Sequence, residues 1–104
     1  MTALQGTLHI VASSPFESNA LVSAIKTASI DDAILLIQNG VYAAMETPVI
    51  DDILAMAPPG LMIFALAEDL DARALPAVRA HVNTVNYAGF VDLVCQFHNS
   101  VSWN

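Results

Sequence analysis

The chain has 104 residues, enough for one hydrophobic core and too few for two, so residues 1–104 are read as one domain. Hydrophobic residues make up 56% and charged residues only 12%, which demands burial on both faces of a sheet or against other chains. Three basic residues (Lys26, Arg73, Arg79) against ten acidic ones give a net charge of −7, which argues against direct nucleic-acid binding, an affinity that rests on neutralising phosphates.

Leu8–Ala12 is an apolar run that meets Ser13-Ser14-Pro15 and passes at once into helical spacing. Ser14 as N-cap, Pro15 at the first helical position and Glu17 three residues after the cap predict a capping box. Phe16, Ala20, Leu21, Ala24, Ile25 and Ala28 then form one apolar stripe. Ser29–Asp32 reads as a polar turn, and Ala33–Ile37 as a strand covered on both faces. Gln38-Asn39-Gly40 stops it with residues that tolerate positive φ, and Val41–Met45 supplies one helical turn. Thr47-Pro48 repeats the cap-plus-proline start, with Val49, Ile53, Met56 and Ala57 on the helix face and Pro58-Pro59-Gly60 ending it.

Leu61–Leu66 is a third buried strand, and Glu68–Arg73 opens a short helix with its acids in the first turn, as the helix dipole prefers. His81–Val85 is a weaker fourth strand. Tyr87–His98 reads as a helix carrying Tyr87, Phe90, Val91, Val94, Cys95 and His98 on one face, with Ser100–Trp103 as a short edge strand. This order predicts an α/β fold of three layers: a mostly parallel sheet of four to five strands, flavodoxin- or Rossmann-like, with helices on both faces. Sites in such sheets usually lie at strand carboxyl ends, here Ala12–Pro15.

The start, MTALQGT, lacks the basic residues and apolar core of a secretory signal, and the longest apolar run, Leu61–Ala67, is far short of a membrane span. The single cysteine permits no internal disulfide, so the expected compartment is a reducing cytoplasm, with no membrane partner. The four glycines are isolated, with no phosphate-cradling pattern after any strand, so no nucleotide or flavin cofactor is expected.

With these segments placed, the chain resembles the DsrH/TusB family of sulfur-relay proteins along nearly its whole length. The resemblance runs through Leu8-His9-Ile10-Val11, Ser14-Pro15-Phe16-Glu17 and Ala33–Leu36 with Gly40-Val41-Tyr42-Ala43-Ala44. It continues through Leu66–Arg73 and Tyr87-Ala88-Gly89-Phe90-Val91-Asp92-Leu93 to Ser102-Trp103. It implies a small α/β subunit that joins two paralogues, DsrE/DsrF- or TusD/TusC-like, in a heterohexamer. Such complexes pass persulfide sulfur between cysteines, toward 2-thiolation of the tRNA wobble uridine or within sulfur oxidation. In them the principal sulfur-carrying cysteine belongs to another subunit. Sulfur-oxidiser members carry a cysteine in the first helix, where this chain has Ala24. That departure points to an accessory subunit of a thiolation relay.

Cys95 is the sole candidate sulfur carrier. A carrier thiol wants a helix N-terminus or a nearby cation. Cys95 instead lies late in its helix on the apolar face, with His98 the nearest cationic candidate, so a buried inert thiol is expected. His9, His81 and His98 show no ligand spacing, so no metal site is expected. Glu68 and Asp69 follow the third strand and serve either as a polar site edge or partner contact, or as helix N-terminal acids. Phe16, Tyr42 and Trp103 lie near element ends, as interface anchors or ordinary core. No nucleophile–base–acid set is present, so the chain is expected to be non-catalytic. The alternatives are a sulfurtransferase using Cys95, a sulfur-oxidation subunit, and a small-ligand-binding homo-oligomer using the strand-end cleft. A homodimer of isolated chains is open as well.

Overall fold

The opening apolar run is β1 (Leu4–Val11), an interior strand of the sheet. The chain continues through α1 (Ala20–Thr27), β2 (Ala33–Leu36), a 3-10 segment (Gln38–Ala44), α2 (Pro48–Leu54) and β3 (Met62–Leu66). It ends with α3 (Ala67–Ala72), β4 (Val82–Val85), α4 (Tyr87–Gln96) and β5 (Phe97–Trp103). This computed structural model describes residues 4–75 and 78–104. The five strands are all parallel, in the order β4-β3-β2-β1-β5. The α/β fold with helices on both faces is therefore the observed one. No helix among the described residues is long and apolar enough to cross a membrane.

Strand register sorts the side chains into two faces. Val11, Ile34, Leu36, Ile63, Ala65 and Val82 pack with Leu21, Ala24 and Ile25 of α1, Val41 of the 3-10 segment, Ile53 of α2 and Leu70 of α3. The opposite face carries Leu8, Ala33, Leu35, Phe64 and Val85, and the helix that packs on it is α4, through Phe90 and Leu93. This imbalance follows from strand order. Crossovers from β1 to β4 all move one way across the sheet and, sharing one hand, stack their helices on one side; only the return from β4 to β5 puts a helix on the other. Five strands span about 19 Å at their usual spacing of about 4.8 Å. One helix, about 10 Å across, covers half of that.

Several element boundaries differ from expectation. The capping box does not form: Ser14–Glu17 is a turn, and α1 begins at Ala20 after Asn19, which makes no side-chain cap. The Ser14 hydroxyl accepts the Phe16 N–H at 3.1 Å, and its carbonyl accepts those of Glu17 and Ser18. Serine's local hydrogen bonding here favours a turn over a helix start. Phe16 consequently lies outside the helix and exposed, while Ala20, Leu21, Ala24 and Ile25 are buried as the stripe predicts. At Thr47 the same signal does cap a helix, its hydroxyl accepting the Ile50 N–H. That register buries Ile50 and Ile53 and leaves Val49 exposed, while Met56, also exposed, lies beyond the helix end. Strand β3 is buried only toward its carboxyl end, because Met62 lies on the sparsely covered face.

The largest difference is at the carboxyl end. Helix α4 stops at Gln96, and His98 belongs to β5, a strand of 7 residues paired with β1. No glycine or proline marks the change. Phe97 turns extended (φ −75°, ψ 149°) and buries itself against Leu8, so sheet pairing overrides helical spacing.

Candidate functional site

Strand order reverses between β1 and β5, and the carboxyl ends flanking such a reversal form the usual crevice of an open α/β sheet. Here that place is built from Val11–Ser14 and Trp103, joined by a backbone bond from the Ala12 N–H to the Trp103 carbonyl. The 3-10 segment closes onto the same point: the Gly40 N–H reaches the Ala12 carbonyl, and the Ile37 N–H reaches that of Val11. Glycine is required here because a Cβ at residue 40 would run into the Val11 carbonyl.

Beneath this end lies a polar triad. His9 projects from β1 at 2% exposure, between Asp32 and Trp103. The Trp103 indole N–H donates to His9 Nδ1 at 3.0 Å, and His9 Nε2 lies 2.8 Å from Asp32 Oδ2. An indole nitrogen only donates, so Nδ1 must accept and the ring proton sits on Nε2, donated to Asp32. Asp32 also accepts the backbone N–H groups of Thr7 and Ser29. Burial pushes its carboxyl up, but those two amides and the His9 ring outweigh it, holding the carboxyl below its ordinary range. His9 lies inside the apolar run Leu8–Ala12, and the sequence around it does not disclose its partners. One signal pointed to them: a histidine inside a buried strand needs hydrogen bonds, and Asp32 immediately precedes the adjacent strand.

Among the other candidate residues Trp103 belongs to the triad, and the rest make no hydrogen bond to it. Glu68 accepts the Tyr87 N–H at the start of α4, and Asp69 accepts the Gln38 N–H at 2.6 Å while pairing with Arg73. Both acids tie backbone ends together. Gln38 is held at φ 50°, so the positive φ expected in Gln38-Asn39-Gly40 falls on the glutamine. Tyr42 is half-buried in the 3-10 segment, Trp103 half-buried in the triad, and Phe16 exposed in the first turn. His81 precedes β4 and His98 lies on β5, each away from His9.

Cys95 corrects the expectation of a walled-off thiol: it is exposed. Helix α4 turns Phe90 and Leu93 inward, so Tyr87, Val91, Val94 and Cys95 face solvent. The helix carries no Lys or Arg, and the two arginines are paired elsewhere, Arg73 with Asp69 and Arg79 with Asp51. Ala24 is buried in α1 at 0% exposure. A cavity of about 310 Å³ opens at the amino ends of β3 and β4, lined by Leu61, Ile63, Val82, Arg79 and His81. It lies at the end of the sheet opposite the expected cleft.

The sequence matches the family model for DsrH like protein over residues 13–100. It is 37% identical to Protein TusB of Buchnera aphidicola subsp. Baizongia pistaciae over 92% of this chain and 99% of that protein. It is 34% identical to Protein TusB of Photorhabdus laumondii and 32% identical to that of Enterobacter sp. (strain 638), each across 92% of this chain and 99% of the relative. The crystal structure of ychN protein from E. coli superposes with a TM-score of 0.72, covering 94% of this chain and 98% of that one at 12% identity, a likeness of fold. The chain belongs to the DsrH/TusB family of sulfur-relay proteins.

Proposed function

We propose that this protein is an accessory subunit of a cytoplasmic sulfur-relay complex, supporting persulfide transfer toward 2-thiolation of the tRNA wobble uridine. Its partners in this reading are two paralogous TusD- and TusC-like subunits, one of which holds the sulfur-carrying cysteine. The observation that carries it is α4: most of its residues are apolar, yet none is fully buried, Phe90 and Leu93 being only partly covered. Tyr87, Val91 and Val94 stand exposed on this helix, and Met62 is exposed on the sheet face that it half covers. An apolar face of this kind is a contact surface for other chains, and a paralogue of the same fold is the occupant this reading assigns. Alanine at position 24 and the family relationship support the accessory role. The acidity of the chain fits docking on proteins and leaves tRNA contact to a partner.

The exposure of Cys95 favours a second reading, in which this subunit carries sulfur itself. Against it stand the thiol's place at the carboxyl end of its helix, where the dipole opposes a thiolate, and the lack of a cation on α4. Co-expression with its paralogues and native mass measurement tests the assembly. One mixed complex is expected for the wild type, and Val91→Asp should release this subunit. A wild-type chain that never enters the complex contradicts the proposal.

A further inference from the structure

The triad has a property that its hydrogen-bond inventory dictates. Its members come from residues 9, 32 and 103 and bridge three elements: β1, the turn before β2, and the end of β5. His9 has one acceptor nitrogen, and Trp103 uses it. Adding a proton to Nδ1 turns that acceptor into a donor facing another donor, and the bond to Trp103 is lost. The same proton makes the ring an imidazolium 2.8 Å from an ionised carboxylate, which strengthens the bond to Asp32. One protonation therefore acts in opposite directions on the two sides of the ring.

The geometry points to a proton-operated latch: protonation of His9 frees the Trp103 indole, and with it the carboxyl end of β5, while His9 stays fixed to Asp32. The surroundings leave Asp32 as the controlling charge. Over this face α1 presents buried Ala20, Leu21, Ala24 and Ile25 and keeps its one charged residue, Lys26, exposed. Asp31 in the neighbouring turn and His98 on β5 are exposed as well. Strand β5 is an edge strand whose central residues are exposed, so beyond its ladder with β1 its carboxyl end is held by this anchor and by the Ala12 N–H bond to the Trp103 carbonyl. Release would loosen the sheet edge at the reversal of strand order.

Trp103 is the only tryptophan, so its emission reads the latch directly in the full-length protein. On acidification the wild type should show a red shift and greater access to a neutral quencher, at a pH where far-ultraviolet circular dichroism is unchanged. Asp32→Asn should move that step to lower pH, because the carboxylate favours the imidazolium, and His9→Gln should abolish it. If His9→Gln does not fold, nitrogen-15 spectra of the wild type serve instead, with the indole N–H signal changing at the same midpoint as protonation of His9 Nδ1. The inference is overturned by any of three results: Trp103 becoming accessible only when circular dichroism is lost, a step that Asp32→Asn leaves in place or raises, or ring protonation that leaves the indole signal unchanged.

Discussion

Gly40 shows how much one residue can carry. It has no Cβ because the 3-10 segment runs hard against the end of β1, and its N–H is spent on Ile37 and Ala12 carbonyls. Gly40→Ala should destabilise the protein by about 1–3 kcal/mol, the range for forced overpacking, seen as a lower midpoint in urea. Asp32 makes a different demand, for charge. Its folded carboxyl titrates below the unfolded one, so its contribution is fully present above about pH 4 and fades as pH falls through the folded value. Asp32→Asn should cost about 1–3 kcal/mol near neutrality, with a gap from wild type that narrows on acidification in paired denaturation curves. Of these residues the sequence made Gly40 visible as a strand stop. It hid the link from His9 to Trp103, because pairing across most of the chain's length leaves no local spacing to read.

Among elements, two stretches with the same start signal behave differently. Ser14-Pro15 and Thr47-Pro48 both offer a hydroxyl before a proline, yet only Thr47 caps a helix. The difference lies in local hydrogen bonding: Ser14 accepts the Phe16 N–H and closes a turn on itself, whereas Thr47 accepts the Ile50 N–H. Thr47→Ala should therefore cost about 1 kcal/mol through loss of the cap, measurable as a reduced melting temperature. The strands β2 and β3 and the short α3 were readable because their apolar runs and punctuation are local. The end of α4 was not, since helical spacing continues past Gln96 and only pairing with β1 converts Phe97 onward to strand. That conversion also takes His98 off the helix that carries Cys95, so the one-turn relation between them in the sequence pattern is not formed.

For the whole molecule, the decisive property is asymmetry. Four helical segments share one face of the sheet and one helix serves the other, a result of strand order that composition could only hint at through its excess of apolar residues. The sequence predicts that such residues are hidden by layers or by other chains; layers hide those of one face, and the exposed residues of α4 are the ones the proposed partners would cover. An apolar, largely exposed α4 with no Lys or Arg of its own fits the accessory subunit proposed above.

The most direct test is sulfur throughput in a relay rebuilt from this chain, the proposed paralogous partners, a persulfide donor and acceptor tRNA. Transfer should collapse when this chain is omitted and proceed at the wild-type rate with Cys95→Ser. A Cys95→Ser complex that assembles fully but passes no sulfur would contradict the account and make this subunit a carrier.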